Sequence, residues 1–299
     1  MAKVANVPEL DARKHILTVD VEDYFQVSAF ENIVNRTSWD SLEHRVEHNT
    51  HKVLDLFNEH NAKATFFVLG WVAERYPSIV NRIVSEGHEL ASHGHSHQRL
   101  TSLTQAQAFA DIKKSKDILE DLSGQLITGY RAPSFSINSS NIWIYDILKQ
   151  LNFSYSSSTY PIKHDLYGEP SWPRAAYRTE QGILEIPVST LKLGNKNYPI
   201  AGGGYYRLLP YWLNKHAINH FIKNEQQPYM FYFHPWEIDP KQPRFKHASN
   251  KSKLRHYTNL TIMEEKIVKL LRLYNWQSVS AAYQAQLTSK DLIEESVHG

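Results

Sequence analysis

His15-Ile16-Leu17-Thr18-Val19-Asp20-Val21-Glu22-Asp23 is an apolar run that ends in carboxylates. Residues 15–19 read as a buried strand. The theme then repeats along the chain. A helix is expected over 42–60, with Val46, Val53, Leu54 and Phe57 on one face, and a strand over 64–69. A helix over 72–86 is closed by Gly87, and a short strand covers 88–92. A helix over 105–122 follows Thr101, Ser102 and Thr104 as candidate caps. Strands are expected over 128–131, 153–156, 184–188, 229–233 and 277–280, and helices over 141–151, 211–223 and 261–274. Strands separated by helices of this length pair in parallel through right-handed crossovers. About seven such units favour an α/β fold, a distorted parallel (β/α) barrel. Residues 161–210 break the rhythm. They are rich in Pro, Gly, Tyr and Arg, carry Gly202-Gly203-Gly204, and read as an elaborated loop region over the active-site mouth.

Composition narrows the classes. The 299 residues are 41% hydrophobic, enough for a real core, and no linker or repeat divides them. A formal charge of +2 gives no overall basic excess for nucleic acid or an anionic membrane. The absence of cysteine excludes disulfides, zinc fingers and thiol catalysis. Residues 1–9 lack the apolar stretch of a secretory signal, and no run approaches the roughly 18 apolar residues of a membrane span. A cytoplasmic chain with no integral membrane segment is therefore expected. A homo-oligomer is left open.

In parallel α/β folds, reactive groups gather where strands end. Asp20, Glu22 and Asp23 follow the first strand, His93, His95 and His97 the third, Arg131 ends the fourth, and His234 ends the run Tyr229-Met230-Phe231-Tyr232-Phe233. A histidine pair spaced i, i+4 on a helical turn can meet one cation; the alternative is a solvated loop. His95 can replace either neighbour but breaks that spacing. Two carboxylates at a strand end can divide labour between metal and proton; the alternative is an acidic turn capping the next segment. Two imidazoles, one carboxylate and open positions suit zinc or another late divalent transition metal. Arg131 suits a bidentate carboxylate pair, or a surface salt bridge. His234 can protonate a leaving amine, or be a core histidine bonded to backbone.

Together these motifs resemble the polysaccharide deacetylases of carbohydrate esterase family four, with the chitooligosaccharide-deacetylase homology domain. Thr18-Val19-Asp20-Val21-Glu22-Asp23 is similar to the family's first motif, His93-Gly94-His95-Ser96-His97-Gln98-Arg99-Leu100 to its His-x-x-x-His motif, Arg131-Ala132-Pro133-Ser134-Phe135 to its Arg-x-Pro motif, and Phe231-Tyr232-Phe233-His234 to its last. Residues 20–30, 202–210 and 234–240 resemble the branch associated with exosortase and exopolysaccharide gene clusters. The resemblance covers residues 14–283, with 160–283 as a family-specific part, 1–13 as an extension and 284–299 as a tail.

The resemblance implies a metal-dependent hydrolase that removes N-acetyl groups from N-acetylhexosamine units of an exopolysaccharide or its precursor. It implies Asp20 as general base beside Arg131, His234 as general acid, and one divalent ion, zinc first, on Asp23, His93 and His97. Tyr24, Pro133 and Trp236 would bind substrate. The family pattern has adjacent aspartates, whereas Val21 and Glu22 separate Asp20 from Asp23. Alternation along a continuing strand favours Glu22, and a turn after Asp20 favours Asp23; Asp23 is taken as the ligand. No Asp-x-x-Asp-Trp motif is present to orient His234, leaving Asp165, Glu185 and Asp239 as candidates. Tyr24, Phe25, Tyr160, Tyr167, Trp172, Tyr205, Tyr206 and Trp236 lie in or near expected loops, where rings can stack on pyranoses or simply pack. Two other functions stay open: a cyclic-amide (allantoin-type) hydrolase on the same fold, and an inactive glycan-binding barrel.

Overall fold

The structure is a computed structural model describing residues 14–165 and 167–288. The expected extension 1–13, and residues 289–299 of the expected tail, lie outside the described residues.

Eleven strands follow in order: β1 (Lys14–Val21), β2 (Thr65–Val68), β3 (Glu89–Ser92), β4 (Gly129–Tyr130), β5 (Tyr155–Ser156), β6 (Tyr177–Arg178), β7 (Leu184–Glu185), β8 (Thr190–Leu193), β9 (Lys196–Pro199), β10 (Met230–Phe233) and β11 (Asn275–Gln277). Nine form one sheet in the order β10-β1-β2-β3-β4-β5-β7-β6, with β11 also on β1. Every ladder of this sheet is parallel except β6 with β7. Among the described residues no ladder closes the ring, so the barrel is a curled, mostly parallel half-barrel. β1 lies between β10 and β2, second from one end of that order, and seven of its eight residues are buried. This explains its nearly unbroken apolar sequence, which is what a strand covered on both faces requires.

Helices cover the sheet. α1 (Val46–Glu59) buries Val46, Val53, Leu54 and Phe57, the expected face. The helix expected over 72–86 is two, α2 (Gly70–Arg75) and α3 (Pro77–Ser85), broken at Tyr76 (φ −130°, ψ 64°). Pro77 causes the break, because proline excludes the helical conformation from the residue before it and serves well as a first helical residue. α4 (Gln105–Ser123) starts at a Thr104–Gln107 capping box and stops at Gly124. α5 (Ile144–Gln150), α6 (Gly203–Leu208), α7 (Tyr211–Asn224), α8 (Asn250–Tyr257), α9 (Leu260–Leu273) and α10 (Val279–Ala282) follow. The last strand is Asn275–Gln277 rather than 277–280; Ser278 accepts the Ala281 N–H and starts α10 instead. The expected loop region at 161–210 holds β6, β7, the antiparallel β8–β9 hairpin and α6. No described helix is long and apolar enough to cross a membrane.

Parallel pairing fixes what the site needs. Asp20 lies beside Phe67, Ser92 beside Tyr130, and Val19 beside Phe233. The residues at or just past these positions, Asp20, His93, Arg131 and His234, therefore emerge at one edge of the sheet.

Candidate active site

A cavity of about 260 Å³ opens at that edge, lined among others by Asp20, Glu22, His93, His97, His234 and Arg255. Its floor is built from strand ends. Arg131 is fully buried and donates from Nη1 to Asp20 Oδ1 at 2.7 Å and to Thr18 Oγ1 at 2.8 Å. Its remaining N–H groups reach the carbonyl and hydroxyl of Ser157, and its guanidinium lies 4.1 Å from the Phe67 ring centre. So many fixed donors hold the guanidinium in one place, and Asp20 with it.

The histidines do not sit on a helical turn. Gly94 (φ 74°) and His97 (φ 49°) are both left-handed and turn the chain back, placing the two rings with centroids 5.5 Å apart. A side chain at Gly94 would meet Asp111 Oδ2 at 2.9 Å as well as an unfavourable φ. Asp111 holds the turn by accepting the N–H groups of His95 and Ser96. His95 leaves the cleft and meets Glu74 at 3.0 Å. His93 Nδ1 lies 2.8 Å from the Arg131 carbonyl oxygen. A carbonyl only accepts, so Nδ1 carries the proton and Nε2 keeps its lone pair. Burial pushes the His93 pKa down to about 4, which keeps the ring neutral.

The carboxylate beside these imidazoles is Glu22, correcting the expectation of Asp23. β1 continues to Val21, so alternation puts Asp20 and Glu22 on the cleft side and Asp23 behind it. Asp23 accepts the N–H groups of Tyr24, Arg45 and Val46 at 2.8–3.0 Å and so satisfies the start of α1. Burial raises its pKa to about 6 despite those bonds. Glu22, His93 and His97 present ligand atoms all within 4.8 Å of one another. Glu22 Oε2 is buried, accepts no hydrogen bond, and lies 2.5 Å from His97 Nε2. Burial alone would raise the Glu22 pKa, but His97, His234 and His93 outweigh it and bring it to about 2. An unbonded buried carboxylate oxygen beside two imidazoles, one of fixed tautomer, fits a zinc-type divalent cation.

His234 completes the ring of groups, with Nε2 3.4 Å from Glu22 Oε1. Its Nδ1 meets Glu237 Oε1 at 2.9 Å, and Arg207 Nε donates to Glu237 Oε2 at 2.7 Å. Arg207 is anchored in turn on the carbonyls of Arg255, His256 and Thr258. Burial would lower the His234 pKa, but Glu22 and Glu237 dominate and raise it to about 9. The carboxylate that orients His234 is thus Glu237, which the sequence reading missed. Of the expected candidates, Asp165 pairs with Lys251 and Arg255, Glu185 accepts the N–H groups of Ser158 and Thr159, and Asp239 pairs with Arg45. The available signal was the three-residue spacing in His234-Pro235-Trp236-Glu237, which a single 3-10 turn closes.

The expected substrate residues are placed differently. Tyr24 is buried against Phe25 and Phe245, outside the cavity lining. Pro133 is buried, and its neighbours Ser134 and Phe135 line the cavity instead. Trp236 lines the cavity but is 5% exposed, sandwiched between His234 and His256 with ring planes 17° and 14° away from parallel. Of the other aromatic residues, Tyr167 and Tyr205 reach the cavity, whereas Phe25, Tyr160 and Tyr206 are core. Among the described residues, six other than glycine have left-handed φ. Three are Asn, which tolerates it; the others, His97, Ser134 and Phe135, all line this cavity. Backbone strain concentrates at functional sites, where the surrounding structure holds it.

Residues 35–155 match the family described as polysaccharide deacetylase, and residues 157–284 match a domain of unknown function, DUF3473. The peptidoglycan-N-acetylglucosamine deacetylase of Bacillus cereus is 42% identical over 84 residues, 28% of this chain and 30% of that protein. The peptidoglycan deacetylase of Helicobacter pylori is 34% identical over 107 residues, 36% of each. The aligned part is thus about a third of either relative. A Mycobacterium smegmatis structure provisionally described as a polysaccharide deacetylase covers 96% of both chains at a TM-score of 0.59 and 18% identity. The structure of the peptidoglycan N-acetylglucosamine deacetylase Bc1960 covers 93% of this chain and 91% of its own at a TM-score of 0.50 and 21% identity. These two likenesses concern the fold.

Proposed function

We infer, for a chain whose residues 35–155 match the polysaccharide deacetylase family, that it hydrolyses N-acetyl groups on N-acetylhexosamine units of a polysaccharide. The observation carrying this reading is the meeting of Asp20, Glu22, His93, His97 and His234 in one cavity. Glu22, His93 and His97 would hold a divalent cation, zinc first. When bound, the cation supplies positive charge to the carbonyl oxygen on which negative charge develops. Asp20, fixed by Arg131, accepts a proton from the attacking water. His234 is aimed by Glu237, so it can give a proton to the departing amine. The products are acetate and a free amine.

The resemblance of residues 20–30, 202–210 and 234–240 to exopolysaccharide-associated members supports an exopolysaccharide, or its precursor, as the polymer. The test is acetate release from N-acetylglucosamine oligosaccharides by the purified chain supplied with zinc. We expect stoichiometric acetate and amine. A zinc-loaded chain releasing no acetate from any N-acetylated glycan would overturn the reading.

A further inference from the structure

The near-neutral total charge conceals a strong asymmetry. Residues 186–263 carry eleven Lys and Arg against three Asp and Glu, a net +8 in a chain whose total is +2. The rest of the chain therefore carries a net −6. The three acids of this segment are already engaged: Glu225 with Arg174, Glu237 with Arg207, and Asp239 with Arg45. Among the described residues, Lys241, Arg244, Lys246 and Lys253 have no carboxylate partner, and Lys251 and Arg255 share Asp165. Such a run is more than a solvated face requires, because its own counter-charges have been turned inward.

One of these cations stands at the cleft itself. Arg255, on α8, lines the cavity, and so does Leu208 at the end of α6. Arg207 Nη2 donates to the Arg255 carbonyl, so the two helices meet there. The same elements expose apolar side chains: Leu254 on α8 is 63% exposed and Trp212, in the first turn of α7, 69%. Leu208 and Leu209 are 40% and 37% exposed. A soluble polyanion would be served by the cations alone. Cations interleaved with an exposed Trp and Leu match an anionic lipid surface, where charges meet headgroups and the rings and branched chains enter the boundary.

We propose that α8, the segment 241–249 before it and the α6–α7 corner dock the protein on an anionic lipid bilayer, with the cavity mouth beside the membrane. The surface stands independently of the deacetylase reading. If that reading holds as well, the docked enzyme would meet a glycan still tethered at the bilayer.

The experiment is co-sedimentation of the full chain with phosphatidylcholine vesicles, with and without phosphatidylglycerol. Binding is expected only with phosphatidylglycerol, and should be released by added salt. The triple variant Lys241→Gln, Lys246→Gln, Lys253→Gln should bind about 100-fold more weakly, roughly fivefold per cation removed. Trp212→Ser should weaken binding with every charge kept. All four positions are on the surface, and a thermal melt matching the parent chain checks that each variant is folded. The proposal is overturned by no binding to phosphatidylglycerol vesicles, by binding that survives the triple variant, or by soluble dextran sulfate competing while Trp212→Ser binds like the parent. None of these readouts uses acetate release, so failure here is distinct from failure of the enzymatic reading.

Discussion

At the scale of single residues, the account turns on which carboxylate belongs to which task. Asp20 faces the cleft on a buried arginine, and Asp20→Asn should keep the fold while lowering kcat by about 10²–10⁴-fold, measured as acetate release. Glu22 and Asp23 are neighbours with opposite duties. Glu22→Gln should weaken cation binding by at least about 100-fold, since even outer partners of a ligand contribute that much. Asp23→Ala should leave cation binding intact and cost about 2 kcal/mol of stability, because the start of α1 loses a charged acceptor. Calorimetric titration with zinc and a denaturant melt on both variants separate the two roles; reversed results would exchange the assignments. Asp20, His93, His97, Arg131 and His234 were legible in the sequence as polar residues at the ends of apolar runs. The choice between Glu22 and Asp23 was not, because it depends on the strand running on to Val21, a matter of where a ladder stops.

At the scale of elements, the turn after β10 and the start of α6 act together on His234. Gly203, the second of three consecutive glycines, comes so close to Glu237 that an added Cβ would stand 2.3 Å from Oε1. Gly203→Ala should push Glu237 aside and lower kcat by about 10- to 100-fold with KM little changed, although Gly203 is not among the residues lining the cavity. Steady-state kinetics check this; an unchanged kcat would mean that Glu237 does not position His234. The glycine run was visible inside the expected loop region, but its partner was not, since residues 203 and 237 meet only through the fold. Helix and strand positions were recovered where periodicity was strong, as in α1 and α4. They failed where one residue governs, as at Pro77, which splits a helix, and Ser278, which converts an expected strand into a cap.

At the scale of the molecule, one sheet joins the two matched regions. β1 pairs with β2, β10 and β11, so the matched region at 157–284 supplies two of the three neighbours of the strand that carries Asp20 as well as His234, Glu237 and Arg207. A cation held between β1 and the loop after β3 would tie distant parts of the chain together. Chelation should therefore lower Tm by about 5–10 °C if the cation stands near 100 times its Kd, and zinc should restore it. A Tm indifferent to both would speak against a resident ion. The parallel half-barrel was legible from the alternation of runs. Its incomplete closure was not, because ladders between sequence-distant strands leave no local pattern.

The geometric claim beneath all of this is that Glu22, His93 and His97 share one cation. The most direct measurement is diffraction from zinc-soaked crystals on either side of the zinc absorption edge. The account predicts a single anomalous peak within bonding distance of Glu22, His93 Nε2 and His97, with Asp23 still turned toward Arg45 and Val46. A peak bound by Asp23, or a zinc-saturated crystal with no peak between the two histidines, would contradict it.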